Sequence, residues 1–293
     1  MELIQTLING VLTGLVYGVV ALSFVVIYRA SKIVNLAQGQ VVMASAFFVW
    51  LFVLALDWPL WAGLPAALAA SVALGALIER AVFRRLIGQP VFSVVMASIG
   101  LLILIQGAAQ LFFGAQTRPF PQILPAGAWQ FGPLLLNKAL LIGAVLTLLA
   151  AEGLHRFFTH TRGGLRLAAV AEDHVTALSL GVSVRQATAV AWMLGTALAM
   201  LAAVILLSGT VLGLQVAEIG LRALPVALLG GLESVRGASL AGVIVGVGEA
   251  LASRFLDPLT AGAASLVFPY VLMILVLLLR PQGLFGWRKI ERL

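Results

Sequence analysis

The sequence predicts an all-α, polytopic membrane bundle, and three observations predict it. Of 293 residues, 62% are hydrophobic and 10% charged, with a mean hydropathy of +1.11, whereas soluble domains carry nearer a quarter charged residues. Uncharged runs at 3–28, 33–56, 58–78, 86–117, 186–217 and 258–279 each exceed the roughly 18 residues that cross a ~30 Å hydrocarbon core. These runs are continuous and lack ten-residue alternation, which excludes a transmembrane barrel. Only helices and closed barrels satisfy their backbone in lipid, so the spans are helical.

The expected spans are 4–28, 38–56, 60–79, 92–113, 136–157 and 187–208, then a broken region over 216–253, then 264–280. That gives about eight to nine hydrophobic segments in a single domain over 1–293. The first run lacks a basic leader and is longer than a secretory apolar region, so it reads as an uncleaved span. The broken region holds two pieces, 216–230 and 237–253, each short for a crossing, around the turn-like GGLESVRG. The first piece carries Glu218, Arg222 and Pro225. It is either two tilted crossings or a re-entrant hairpin, since irregular backbone at membrane depth must be buried or line a cavity. Gly10, Gly14 and Gly18 are spaced four apart, as are Ala238, Gly242, Gly246 and Ala250. Small residues at that spacing let helices approach closely, and both ribbons read as packing within one chain.

Charge sets the orientation. The net charge of +7 sits in short clusters between apolar runs: Arg29/Lys32, Arg80/Arg84/Arg85, Arg156/Arg162/Arg166 and Arg288/Lys289/Arg292. The opposite connections at 57–61 and 208–217 hold no cation, and only Arg118 breaks the alternation. This pattern argues against nucleic acid and for the positive-inside rule, with the N-terminus out, the C-terminus in and an odd number of crossings. Trp50, Trp58, Trp61, Trp129 and Trp287 lie near run ends as interfacial anchors. The outer stretch 114–135, rich in Pro, Gly and aromatics, reads as a compact loop with little regular structure. The inner stretch 159–185 has apolar positions around Glu172, Asp173 and His174 that suggest a short amphipathic helix.

Catalysis has little to work with. There is no cysteine, hence no thiolate metal site. The three histidines fall in or beside one loop without the spacing of a helical metal pair. No G-x-x-x-x-G-K-[ST] phosphate loop appears, so the chain is not itself an ATPase. Glu79 and Glu152 read as interfacial, which leaves Glu218 and Glu249 as candidate buried acids, Glu249 as one half of an ion pair with Arg254 or Arg222. Asn35, Gln38, Gln40, Ser98 and Gln106 are neutral hydrogen-bonding groups in apolar surroundings, and with Glu249 they are candidates to wet a solute path. Asn35 also reads as the cap of the second span.

NLAQGQ after LINGVLTGLVYGVVALSFVVIYRASKIV resembles the start of LivH-type permeases, the membrane subunits of ATP-binding-cassette importers for branched-chain amino acids and related solutes. The resemblance recurs in AAVAEDHVTALSLGVSVR, ALPVALLGGLESVRGASLAGVIVGVGEAL and RPQGLFG, so that it covers nearly the whole chain. It implies a multi-pass bacterial inner-membrane permease without enzymatic activity, with 114–135 as a periplasmic loop. It further implies a homologous LivM-type second permease, two cytoplasmic ATPase subunits that bind the ATP and Mg, and a periplasmic solute-binding protein. This chain itself would bind no cofactor. By the same likeness 159–185 is the coupling segment, with Ala171, Glu172, Asp173, Ala177, Leu178 and Gly181 carrying the match. Family members often have His-Gly where this chain has Gln38-Gly39, and glutamine cannot titrate near neutral pH. The rival class is a stand-alone channel or an ion-coupled carrier using Glu218 or Glu249.

Overall fold

The computed structural model describes residues 2–32, 34–132, 134–172 and 174–286. The chain begins with α1 (Glu2–Ser31), and α2 (Gln38–Trp50) runs on through a π-helical turn, Leu51–Ala55. Next come α3 (Leu60–Ala81), a 3-10 turn at Phe83–Leu86, and α4 (Val91–Phe113). Short strands β1 (Arg118–Pro119), β2 (Ala128–Phe131) and β3 (Leu134–Asn137) lead into α5 (Lys138–His160). After it come α6 (Arg162–Glu172), α7 (His174–Ser179), α8 (Val184–Leu207) and β4 (Val211–Leu212). A 3-10 turn, Leu214–Ala217, enters α9 (Glu218–Gly230), and α10 (Val235–Phe255) and α11 (Ala263–Leu279) complete the bundle. Sequence chemistry marks several starts. Asn137, Ser183 and Ser234 each accept a bond from the backbone N–H three residues on, capping α5, α8 and α10.

Ion pairs define two ends. At the basic end Lys32 pairs with Glu233, Arg236 with Glu152 at 3.3 Å, and Arg29 lies over the Phe158 ring at 4.3 Å. At the far end Arg254 pairs with Glu2 at 2.7 Å and the Gln5 side chain binds the Leu135 backbone. The turn after α9 therefore reaches the basic end, and α10 returns from it to the far end. This resolves the broken region as two crossings. The first is half extended chain and half helix, and the second is a full helix of 21 residues, longer than the expected 237–253. Seven helices are long and apolar enough to cross a membrane, and the 17-residue α11 falls just short. With α9 and α11, the described residues run nine times between the basic end and the far end. The closing RPQGLFG folds back on the basic end, where Leu284 N–H donates to Leu229 O at 2.8 Å. The terminal cluster Arg288/Lys289/Arg292 and Trp287 lie outside the described residues.

The core lies around α1 and α8, whose most apolar stretches are 83% and 67% buried, against 22% for α4. The two small-residue ribbons pack against each other. A Cβ at Gly10 would sit 2.8 Å from Gly246 O, and one at Gly14 would overlap the Gly242 carbonyl. Without glycine there, α1 and α10 could not bring their backbones together.

The outer loop differs from its expected irregularity. Strands β2 and β3 form a hairpin with Phe131 opposite Leu134 across a turn in which Gly132 takes φ +60°, and β1 pairs antiparallel with β4. AWQF and LLLN satisfy their backbone by pairing with each other at the bundle's rim.

Candidate functional site

Two helix breaks meet inside the bundle. In the first, the chain leaves α1 at Ser31 and doubles back, so that Gln38 Nε2 donates to Ser23 Oγ at 2.8 Å. Ser23 lies eight residues before Ser31, so α2 starts roughly 12 Å inside the end of α1. Asn35 Nδ2 donates to Gln38 Oε1 at 2.9 Å, and Asn35 Oδ1 accepts from Ala37 N at 3.1 Å. Asn35 thus closes a turn two residues ahead and does not cap α2, whose N-cap is Ala37. Asn35, Gln38 and Gln40 are all buried. Asn35 thereby satisfies a backbone N–H at a break that lipid could not, and Gln38 ties that break to α1.

The second break is 208–217. Ser208 Oγ accepts from Ile123 and Leu124 N–H at 2.9 and 2.7 Å, and β4 pairs with β1, so this descending chain is held by the outer loop. It delivers the start of α9 to the start of α2. There Gly39 and Gly220 touch backbone to backbone: a Cβ at Gly39 would lie 2.9 Å from Gly220 N, and one at Gly220 would lie 2.5 Å from Gly39 Cα. The glycine of AQGQ is required by this close approach.

Beside the breaks the bundle presents a polar face. Tyr17 lies halfway along α1, Arg222 on α9 and Glu249 on α10, three helices that pack against one another. Arg222 and Glu218 are exposed, while Tyr17 and Glu249 are half-buried. Arg254, expected as a partner of Glu249, instead binds Glu2 and Thr6. Among the described residues Glu249 closes no ion pair with Arg222 either. The expected ion pair is therefore absent among the described residues. Charged groups within a span cost about 2.5–3.5 kcal/mol each on insertion scales, so this face meets water or protein.

The other predicted residues are dispersed. Ser98 is buried on α4 and bonds its own helix at Val95 O, 2.8 Å away, while Gln106 keeps a buried Oε1 without a partner among the described residues. Neither belongs to the Asn35 network, and Glu249 stands apart from it on α10. Glu79, expected near the interface, lies two residues before the end of α3 beside the basic cluster. It is 0% exposed, covered by protein and held by Arg84 at 2.7 Å and Thr188 at 3.1 Å. Sequence reasoning missed Tyr17. The signal that could have found it is a polar series, Thr6, Asn9, Thr13 and Tyr17, at steps of three or four along an apolar helix.

At the basic end the inner segment is two helices, where one was expected. Gly164, Leu167 and Val170 bury one face of α6, and a Cβ at Gly164 would lie 2.5 Å from Phe158 Cα. Ala171 is half-buried, Glu172 exposed and Ala177 buried, and Gly181 turns the chain with φ +76°. Asp173 lies outside the described residues. Leu178 and Leu180 project into the surroundings at 60% and 72% exposure. No cluster of three or more metal-ligating side chains occurs among the described residues.

Comparison with known proteins fits this architecture. The family model described as branched-chain amino acid transport system / permease component matches residues 6–277. The high-affinity branched-chain amino acid transport system permease protein BraD of Pseudomonas aeruginosa is 31% identical over 311 residues, covering 99% of this chain and 97% of that protein. The corresponding protein LivH of Escherichia coli K12 is 29% identical over 304 residues, with the same coverage of each chain. A solved structure, PsaBC from Streptococcus pneumoniae in complex with Fab, overlaps at a TM-score of 0.48 and 16% identity, covering 93% of this chain and 90% of that one. Seven apolar helices long enough to cross a membrane and a match along almost the whole chain lead to one conclusion: this multi-pass inner-membrane protein belongs to the branched-chain amino acid transport permease family.

Proposed function

We propose that this chain is the LivH-type subunit of an ATP-binding-cassette importer, forming half of the translocation path for branched-chain amino acids or a related small polar solute. A homologous LivM-type permease completes the path, and a periplasmic binding protein delivers the solute. Two cytoplasmic ATPase subunits bind ATP and Mg and supply the work. The observation that carries the reading is the family match over residues 6–277 on a sequence with no phosphate loop of its own.

The basic end is the cytoplasmic one by the positive-inside rule, so the α6–α7 segment faces the ATPases. Exposed Leu178 and Leu180 beside Glu172 offer an apolar contact with a charge at its edge, which suits docking into a groove. Ala171 and Gly181 permit close approach, buried Ala177 anchors the segment to the bundle, and Asp173 adds a second acid. A mild-detergent pull-down from the native membrane, read by mass spectrometry, tests the assembly. Stoichiometric recovery of a second permease and ATPase subunits is the expected result. Recovery of this chain alone, from complexes stabilised by crosslinking, would favour a self-contained channel or carrier.

A further inference from the structure

Helices α3 and α8 run in opposite senses and meet at the basic end. Gly75 and Glu79 lie one turn apart on the buried side of α3, against Thr188, Trp192 and Thr196 of α8. A Cβ at Gly75 would overlap the Thr196 hydroxyl and lie 2.8 Å from Trp192 O, so the helices touch closely there. One turn nearer the end, the carboxylate of Glu79 is covered by protein and takes donors from two sides. From the α3–α4 turn, Arg84 Nε donates to Oε1 at 3.1 Å and Oε2 at 3.2 Å, and Arg84 Nη2 donates to Oε2 at 2.7 Å. From α8, the Thr188 hydroxyl reaches Oε1 at 3.1 Å. That hydroxyl also lies 3.1 Å from Val184 O and 3.2 Å from Arg185 O in its own helix. It has one hydrogen for these three acceptors, so its bond to Glu79 can be exchanged for one within α8. The Glu79 charge keeps Arg84 either way, which matters because a buried charge stripped of its partner is strongly destabilising.

We propose that the Thr188–Glu79 bond is a latch at the cytoplasmic end of the bundle, closed at rest and opened when the ATPase subunits displace the inner segment. Glu79 and Thr188 are then positioning residues for coupling, an assignment that rests on the permease reading above. The path from the docking surface to the latch is short. Exposed Leu178 lines one cleft of about 600 Å³ with Arg84, Val182 and Arg185. Gly181 N donates to Leu178 O at 3.0 Å and Val182 N to Ala177 O at 2.9 Å, which ties the end of α7 to the turn that follows it. Ser183 caps α8 directly after that turn, and Thr188 lies within the first two turns of the helix. A pull on α7 therefore acts on the part of α8 that holds the latch. Room for the movement lies alongside, in a second cleft of about 290 Å³ lined by Phe83, Leu86, Val94, Thr188 and Trp192. The Gly75 contact one turn deeper has no alternative partner to exchange for, so it serves as the pivot.

The test uses the whole complex in proteoliposomes, with L-leucine uptake and ATP hydrolysis measured on the same preparation. Thr188→Val removes the hydroxyl and keeps the side chain's shape. Hydrolysis in the absence of binding protein and leucine should then rise about tenfold, the weight of one hydrogen bond to a charged group, and leucine moved per ATP should fall. Thr188→Ser, which keeps the hydroxyl, should return both readings toward the parent values. A merely structural role predicts the opposite sign, with hydrolysis and uptake falling together in proportion to the complex that assembles. Basal hydrolysis that stayed level or fell in Thr188→Val, or a Thr188→Ser variant that behaved like Thr188→Val, would overturn the latch. If Thr188→Val did not assemble, Thr188→Ala removes the same hydroxyl with less bulk, and the same readings decide. A parent chain that recovers no ATPase subunits would sink the importer reading and the latch with it. Normal ATP-driven uptake by the parent complex beside an unchanged Thr188→Val variant would sink the latch alone.

Discussion

Replacing Gly14 by alanine tests whether the α1–α10 seam holds the bundle together. The new Cβ would overlap the Gly242 carbonyl oxygen and sit 2.8 Å from its carbon and 3.1 Å from Gly246 Cα. All three neighbours are backbone, so no side chain can swing away and the helices must part. Overpacking of this kind costs typically ~1–3 kcal/mol, offset by the ~0.5–1 kcal/mol that alanine gains over glycine within a helix. Gly18, one turn further on, is the internal control, because a Cβ there meets nothing nearer than 3.6 Å. Gly18→Ala keeps the propensity gain without the clash, so the gain cancels and the two variants should differ by about 1–3 kcal/mol. At roughly 2–4 °C per kcal/mol for a chain of this order, that difference is about 2–12 °C in apparent melting temperature. Heating the detergent-solubilised protein and following the monodisperse fraction by size-exclusion chromatography measures it. If Gly14→Ala melted together with Gly18→Ala, the close glycine contact would be wrong.

The crossing of the two breaks makes a parallel prediction. Gly39→Ala and Gly220→Ala should each lower the recovery of folded protein, with Ala placed at lipid-facing Gly100, where nothing lies within 4 Å of the added carbon, as the neutral comparison; equal recovery of all three would refute the contact. At the basic end, Leu178→Glu with Leu180→Glu should reduce ATPase stimulation in the assembled complex while membrane insertion is retained, and normal stimulation would remove this segment from coupling. Asp257, outside the spans, accepts from Ser265 N at 2.9 Å and Ser265 Oγ at 2.7 Å ahead of α11, and these bonds hold its carboxyl below the usual range. A carboxyl depressed in the folded state contributes fully above its unfolded value of about 3.9 and loses that contribution as pH falls through the lower folded value. The melting difference between the parent protein and Asp257→Asn should therefore be flat above about pH 5 and shrink below about pH 4; a difference that did not vary with pH would show that the carboxylate charge is irrelevant there.

Local patterns were legible in the sequence, and pairings were not. Gly10, Gly14 and Gly18 announce a smooth helix face through spacing alone, and so do Ala238, Gly242, Gly246 and Ala250. That the first ribbon rests on the second depends on contacts between residues more than two hundred positions apart. Asn35 and Gln38 were visible as polar groups at a span's start, but their depth follows from the bond to Ser23, which periodicity does not encode. The 114–135 loop concealed a hairpin because its strands are four residues each, too short for alternation to distinguish them from irregular chain. Glu249 was read as paired because a charge in lipid needs a partner, and Arg254 stood five residues away. The structure gives Arg254 to Glu2 and leaves Glu249 half-buried with no ion pair among the described residues.

The two breaks also fix where the charged residues of α9 lie. A continuous seventh crossing would carry helix from the far end through 208–217. Its first half is instead extended chain bound to the outer loop, so α9 begins at Glu218 with Arg222 one turn further on. That arrangement holds only if α9 begins at a fixed depth, and the depth is set where Gly220 abuts Gly39. The start of α2 is set in turn by Gln38 on Ser23 of α1. The position of Arg222 is thus tied to the same helix that carries Tyr17, through a glycine contact and a buried amide bond. Glutamine serves this link because a neutral donor remains bonded at any physiological pH. A histidine here would make the depth of α9 depend on its protonation.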